Sequence, residues 1–359
     1  MRSRFSAILV ALTAAALFGA TTPVAKALLG PLPPFMVAGL FYLGSGFGLG
    51  AILLGRRFWR ATGHGLRARE IAWLGGAIAF GGVAGPALLM LGLTSTPAAT
   101  SSLLLNLEGV LTAAIAWIVF RENVDSSVFL GMAAIVAGGV VLAWGTGVGT
   151  AAKAGATHTT TGALLIALAC LCWAIDNNLT RKISTADAMV IACAKGLVAG
   201  ATNLGIAFAM GAHPGAPHVV MAAMATGFGG YGVSLVLFVI ALRHLGTART
   251  GAYFSVAPVF GVALSLAIWP QVPGAPFWIA AALMTLGVWL HVRERHEHEH
   301  THERLEHTHR HVHDAHHRHT HDFPYSGDEP HTHTHAHLPI THSHAHFPDI
   351  HHRHSHKRG

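Results

Sequence analysis

The chain reads as an all-α integral membrane protein of ten transmembrane helices, built as two inverted five-helix repeats and followed by a disordered C-terminal tail. Three observations predict this. Residues 1–292 contain ten apolar stretches of roughly the length needed to cross a bilayer, and Lys and Arg collect in alternate loops between them. The two halves also share sequence features. The chain is 52% hydrophobic and 11% charged, with a mean hydropathy of +0.47, outside the usual range of soluble domains.

The ten stretches are 5–29, 33–54, 70–92, 98–120, 126–146, 162–180, 187–210, 217–242, 247–269 and 275–292. Prolines mark several joints, among them Pro31, Pro33 and Pro34, then Pro214 and Pro217, then Pro270, Pro273 and Pro276. The 41 glycines suit close helix contact in lipid. Arg2 and Arg4 before an apolar run resemble a signal peptide, but the run continues through Leu29 and has a counterpart in the second half. A retained first span is therefore expected.

Orientation follows from the bases. With the N-terminus in the cytoplasm, twelve Lys and Arg residues fall on the inner side, and only Lys26 and Lys153 on the outer side. An even number of spans returns the C-terminus to the cytoplasm, at the inner membrane of the cell. The bases lie between apolar segments rather than on one exposed face, which excludes nucleic acid as a partner. The bilayer and a transported ion or small solute are the partners expected, and a homodimer is compatible with this plan.

Phe18–Lys26 (FGATTPVAK) lines up with Trp173–Arg181 (WAIDNNLTR), each an aromatic followed eight residues later by a base. Ala98–Phe120 likewise matches Ala248–Pro270. An odd number of spans per half turns the second repeat upside down, a recurrent transporter plan with the substrate near the midplane. Residues 1–146 form the first repeat, 147–161 an outer linker, 162–292 the second repeat and 293–359 the tail.

On these motifs, with ATSSLLLNLEGVLTAAIAWIVFRE and ARTGAYFSVAPVFGVALSLAIWPQ, the chain resembles the drug/metabolite transporter superfamily, specifically its EamA-type ten-helix members. The resemblance covers about residues 5–292 and implies a transporter rather than an enzyme. It implies a proline in the middle of each fourth helix and an acid at its end. Pro258 supplies the first in the second repeat, where the first repeat has Glu108. Glu122 supplies the second in the first repeat, where the second repeat has Pro270-Gln271. Members carry amino acids, nucleotide sugars, drugs and other solutes, so the resemblance names no cargo.

Residues 1–292 hold six acids, and Glu108 is the one at mid-span. A carboxylate there costs about 2.5–3.5 kcal/mol on insertion scales, so it is expected to face a cavity, bind a cation or carry a proton. Thr112 follows one turn along the same face, and Asn106 lies on another. A buried base is the alternative partner for Glu108, and Lys195 is the one available. Asp176 and Asn177, with Asn178, form a polar cluster that either neutralises Arg181 or Lys182 or supplies oxygen ligands. Pro23 and Pro258 are candidate helix breaks. Cys170 and Cys172 point about 200° apart on a helix and make no single metal site.

Twenty-three of the 29 histidines lie in the last 64 residues. The pattern is His-x-His, as in His296, His298, His300 and His302, then His307, His309, His311 and His313. It recurs at His331, His333, His335 and His337, and at His342, His344 and His346. Alternate imidazoles suit divalent nickel, cobalt or zinc, with no obligatory cofactor implied. The expected function is export of such a cation, nickel or cobalt first and zinc after them, by alternating access with proton coupling. The alternative is export of amino acids or other small metabolites, with the tail as metal buffer or regulator.

Overall fold

The computed structural model describes residues 2–59, 71–120, 126–145, 155–180, 183, 187–245, 247–270, 272–293, 297–302, 305–311, 331–337 and 340–345. The body, to Arg293, and the tail, from Glu294, are separate compact units.

In the body, helices α1 (Arg2–Leu28) and α2 (Pro34–Trp59) are continuous. The third crossing is composite: α3 (Ile71–Ala77), a π-helical segment (Ile78–Ala84) and α4 (Gly85–Ser95). The fourth is broken into α5 (Ala98–Leu104) and α6 (Leu107–Phe120), and α7 (Ser126–Gly145) is the fifth. Helices α8 (Gly155–Thr180) and α9 (Ala188–Ala209) follow, then α10 (Pro217–Gly227), a second π segment (Phe228–Val233) and α11 (Ser234–Leu245). The ninth crossing breaks into α12 (Thr247–Phe254) and α13 (Ala257–Ile268), and α14 (Ala275–Arg293) is the last. The irregularities recur at a fixed offset. The π segments begin 150 positions apart, at Ile78 and Phe228, and so do the half-helices at Leu107 and Ala257.

Among the described residues, seven helices are long and apolar enough to span a bilayer, and Phe129–Ala143, Ala257–Ile268 and Ala275–Leu290 are shorter apolar helices. Because lipid is as apolar as a leucine side chain, packing and polar contacts hold such helices together. Helix α2 lies on α9 where two glycines meet: a Cβ on Gly196 would stand 2.7 Å from the Gly46 Cα. Phe41, Met36, Met90, Leu104, Ile166 and Met284 are fully buried at the centre. Many apolar side chains face outward instead, among them Ile118, Val119, Phe129 and Leu130.

Two expectations need correcting. Helix α1 runs unbroken through Pro23, so there is no break there. The missing bond at Pro23 leaves the carbonyl of Gly19 free, and this stretch is clamped against α13, where a Cβ on Gly19 would overlap the Ala257 carbonyl. Helix α8 begins at Gly155, inside the segment read as a linker, because Thr160 and Thr161 are tolerated in a helical turn ahead of the apolar run.

The tail unit contains four strands: β1 (Glu297–His302), β2 (Leu305–His311), β3 (His331–His337) and β4 (Ile340–Ala345). β1 pairs antiparallel with β4, and β2 with β3. The composition predicts no packed core, and these strands contain almost no apolar residues. What the composition argument leaves out is period. Alternating His with Thr, Glu or Ala matches the two-residue repeat of a strand.

Candidate functional site

The site is built on the break in the fourth crossing. At Leu105 and Asn106 the hydrogen bonds tighten to three-residue spacing, with Asn106 N–H donating to Leu103 O (3.1 Å) and Glu108 N–H to Leu105 O (3.1 Å). The carbonyls released are capped locally. Asn106 Nδ2 donates to Leu103 O at 3.0 Å, and Cys170 Sγ approaches Leu104 O at 3.7 Å. Cys170 is buried in the core.

Glu108 therefore stands in the first turn of α6, not in mid-helix. Pro258 occupies the matching place in α13. Both residues suit a helix start, for different reasons. Proline has no N–H to leave unsatisfied, and a carboxylate is stabilised by the positive end of the helix dipole. The dipole lowers the cost of placing Glu108 at this depth.

Glu108 Oε1 accepts a hydrogen bond from Asn177 Nδ2 at 2.9 Å, and the same amide donates to Thr112 Oγ1 at 3.2 Å. Asn177 is exposed and Glu108 half-buried. Asn178 donates to Ala174 O (2.8 Å) and also reaches α6, at Thr112 O (3.3 Å). Asp176 points to another side, where it accepts from Thr180 Oγ1 at 2.8 Å. One helical turn thus sends both amides to α6 and the carboxylate away from it.

Lys195 pairs with Asp176, not with Glu108. Its Nζ lies 2.6 Å from Oδ1 and 2.5 Å from Oδ2, with side chains 16% and 8% exposed. The pairing of Glu108 with Lys195 weighed from sequence is therefore replaced. The physical reason is the fan around α8, which aims residue 176 at α9 and residue 177 at α6. Arg181 and Lys182, the other bases considered for Asp176, lie outside the described residues. Among the described residues, Glu108 has no ion-pair partner. Asn106 does not join the cluster: its amide caps the break and reaches Met284 Sδ at 4.0 Å.

The first π segment forms the floor beside the pair. A Cβ on Gly81 would stand 1.8 Å from Asp176 Oδ2, so only glycine admits the carboxylate here. The carbonyl of Gly81 accepts from Tyr42 Oη (2.7 Å) and Trp173 Nε1 (3.0 Å), and that of Gly82 from Asn203 Nδ2 (3.1 Å). A π turn leaves its carbonyls poorly paired, and these three side chains satisfy them. Tyr42 also packs edge-on against Tyr231 of the second π segment, with centroids 5.4 Å apart. The sequence reading missed Tyr42, Trp173 and Asn203 as functional neighbours. An amide in the middle of a mostly apolar span was the available signal for Asn203, which is fully buried.

A separate cavity of about 570 Å³ lies where α1, α4, α5, α13 and α14 converge, with Lys26, Thr94, Ser95, Ser265, Trp269 and Phe277 in its lining. Among the described residues no three His, Cys, Asp or Glu side chains are grouped to hold a metal ion.

In the tail, strand register sets histidine opposite histidine. His298 faces His344 and His300 faces His342, with His302 opposite Ile340. His307, His309 and His311 face His335, His333 and His331, and His337 faces Leu305. His296, His313 and His346 lie outside the described residues.

A helical body with seven helices long and apolar enough to span a bilayer among the described residues, and with paired breaks, fits a multi-pass membrane protein. The model of the EamA-like transporter family matches residues 5–144 and 160–293, and the chain belongs to that family. An uncharacterized transporter of Methanothermobacter thermautotrophicus is 28% identical over 210 residues, which are 58% of this chain. The chain spans 60% of that relative's length. A protein of known crystal structure shares the fold with a TM-score of 0.57 and 21% identity, over 80% of this chain and 95% of that one.

Proposed function

We propose that the chain exports a small organic solute, such as an amino acid or similar metabolite, in exchange for protons. The observation that carries this reading is Glu108. It is half-buried and held by an exposed amide, with no ion-pair partner among the described residues, while Lys195 neutralises Asp176. A carboxylate left in that state takes up and releases a proton, or binds an ammonium group, as the cavity changes side. Both termini then lie in the cytoplasm, at the inner membrane. Rocking of one five-helix half against the other provides the alternation.

A second reading, export of divalent nickel or cobalt with zinc after them, is favoured by the 23 histidines of the tail. One carboxylate with an amide and a hydroxyl is a thin ligand set for such an ion, which draws four to six donors. In the first reading the tail binds the metal as buffer or regulator. The discriminating experiment compares cells expressing the intact chain with cells expressing Glu108→Gln. Glu108-dependent release of amino acids into the medium supports solute export. Glu108-dependent depletion of cellular nickel or cobalt, with no such release, replaces it by metal export.

The tail makes its own prediction. The purified intact protein retains nickel after desalting at pH 7.5, and a chain stopped after Arg295 does not. Retention falls as the pH drops below about 6, because protonated imidazole cannot ligate. Equal retention by the two proteins at pH 7.5 would exclude the tail as the binding segment.

A further inference from the structure

We infer that the cavity around Lys26 is a binding station for the carboxylate of the exported solute, at the mouth of the transporter away from the Asp176–Lys195 pair. The inference rests on the solute-export reading and narrows its substrate to compounds carrying a carboxylate.

Lys26 lies near the C-terminal end of α1, and its ammonium donates to Leu93 O and, at 3.4 Å, to Thr94 O. These carbonyls belong to the last turn of α4, the negative end of a helix dipole, which accounts for the placement of a cation there. They do not exhaust it. An ammonium has three donors, and two carbonyls leave one for a ligand. Among the described residues, Lys26 is the single charged side chain in the cavity lining. No carboxylate stands among the described lining residues, so their net charge is positive.

The rest of the lining suits a small amphipathic acid. Thr94, Ser95, Thr100 and Ser265 bring hydroxyl oxygens to the lining, and Trp269 and Phe277 bring aromatic rings. A volume of about 570 Å³ is far more than a bare ion fills and falls in the range of small-molecule pockets. A positive mouth also repels free divalent cations. The Lys/Arg bias of the loops makes this side the outer one, so the station is the last contact before release.

Trp269 gives a direct readout. The full chain, in nanodiscs of phosphatidylcholine, is titrated with 4-nitrobenzoate, which quenches indole fluorescence, and with neutral 4-nitrobenzyl alcohol. Saturable quenching by the carboxylate is expected, missing in Trp269→Phe and at least about tenfold weaker in Lys26→Met. Lys26 also tethers α1 to α4, so a second variant leaves it in place: Thr94→Lys adds a cation on the same rim and tightens binding severalfold. Equal binding of the neutral alcohol, or wild-type affinity in both variants, would overturn the assignment. A repeat in discs containing phosphatidylglycerol separates the two sources of an anionic group. Quenching that persists there supports the solute, and quenching abolished there assigns the station to a lipid headgroup and overturns the proposal. The titration reads binding without transport, so its failure is distinguishable from a failure of Glu108→Gln to affect export.

Discussion

On the proposed solute–proton exchange, Glu108→Gln is expected to lose nearly all coupled transport and to leave the protein folded. Glutamine keeps the shape of the side chain and an oxygen for the Asn177 amide, which now lies 2.9 Å from the carboxylate. What it removes is the titration. Loss of a positioned proton carrier slows coupled exchange by a factor on the order of 100. The two stability terms oppose each other, and the larger favours glutamine. Losing a charge at the start of α6 costs about 0.3–1 kcal/mol of dipole stabilisation. Removing a carboxylate from membrane depth returns up to about 2.5–3.5 kcal/mol. The thermal midpoint is therefore unchanged or raised. Glu108→Pro, which copies the helix start at Pro258 but removes the N–H that donates to Leu105 O, is expected to be equally inactive and somewhat less stable. Proteoliposomes under an imposed pH gradient provide the measurement, and wild-type counterflow in Glu108→Gln would remove Glu108 from the mechanism.

The second large effect is at Asp176 and Lys195. Lys195→Met leaves a carboxylate, 8% exposed, pressed against a glycine backbone with the Thr180 hydroxyl as its remaining partner among the described residues. Breaking such a pair from one side costs about 3–5 kcal/mol, whereas replacing both partners by neutral groups is often close to neutral. Lys195→Met and Asp176→Asn should each lower the thermal midpoint sharply, and the double variant should recover most of the loss. The difference between the double variant and the two singles is the coupling of the pair. Strictly additive losses would show that the two side chains stabilise the fold independently, contrary to the 2.5 Å contact.

The large pattern was legible in the sequence because lipid imposes simple rules on it. Ten apolar stretches separated by bases and prolines correspond to the ten helical crossings, since a crossing must satisfy its own backbone within about 20 residues. Glu108 stood out for the same reason, as the acid placed where an acid is costly. Its partner was not legible. Asp176, Asn177 and Asn178 are consecutive letters, and only the rotation of α8 decides which meets Lys195 and which meets Glu108. The π segments were hidden too. FGG in 80–82 and in 228–230 is a glycine signal with many meanings, and Tyr42, Trp173 and Asn203 come from three distant parts of the chain. Pro23 shows the opposite error. Proline marks a helix break in isolation, but α1 is wedged against α13 closely enough to stay straight-threaded through it.

The π segment at Ile78–Ala84 has a bearing on how this helix can be edited. A π turn is an α-helix carrying one residue too many, and the wider turn absorbs the surplus so that the helix beyond it keeps its phase. Taking one glycine out, rather than replacing it, lets the turn revert to α geometry with α4 still aimed nearly as before. Such a deletion is expected to leave Leu89, Met90 and Leu93 buried and to act locally, by re-pairing the carbonyls that Tyr42, Trp173 and Asn203 now hold. A variant one residue shorter here keeps its architecture and loses a polar floor, whereas a changed letter at Gly81 collides with the Asp176 carboxylate.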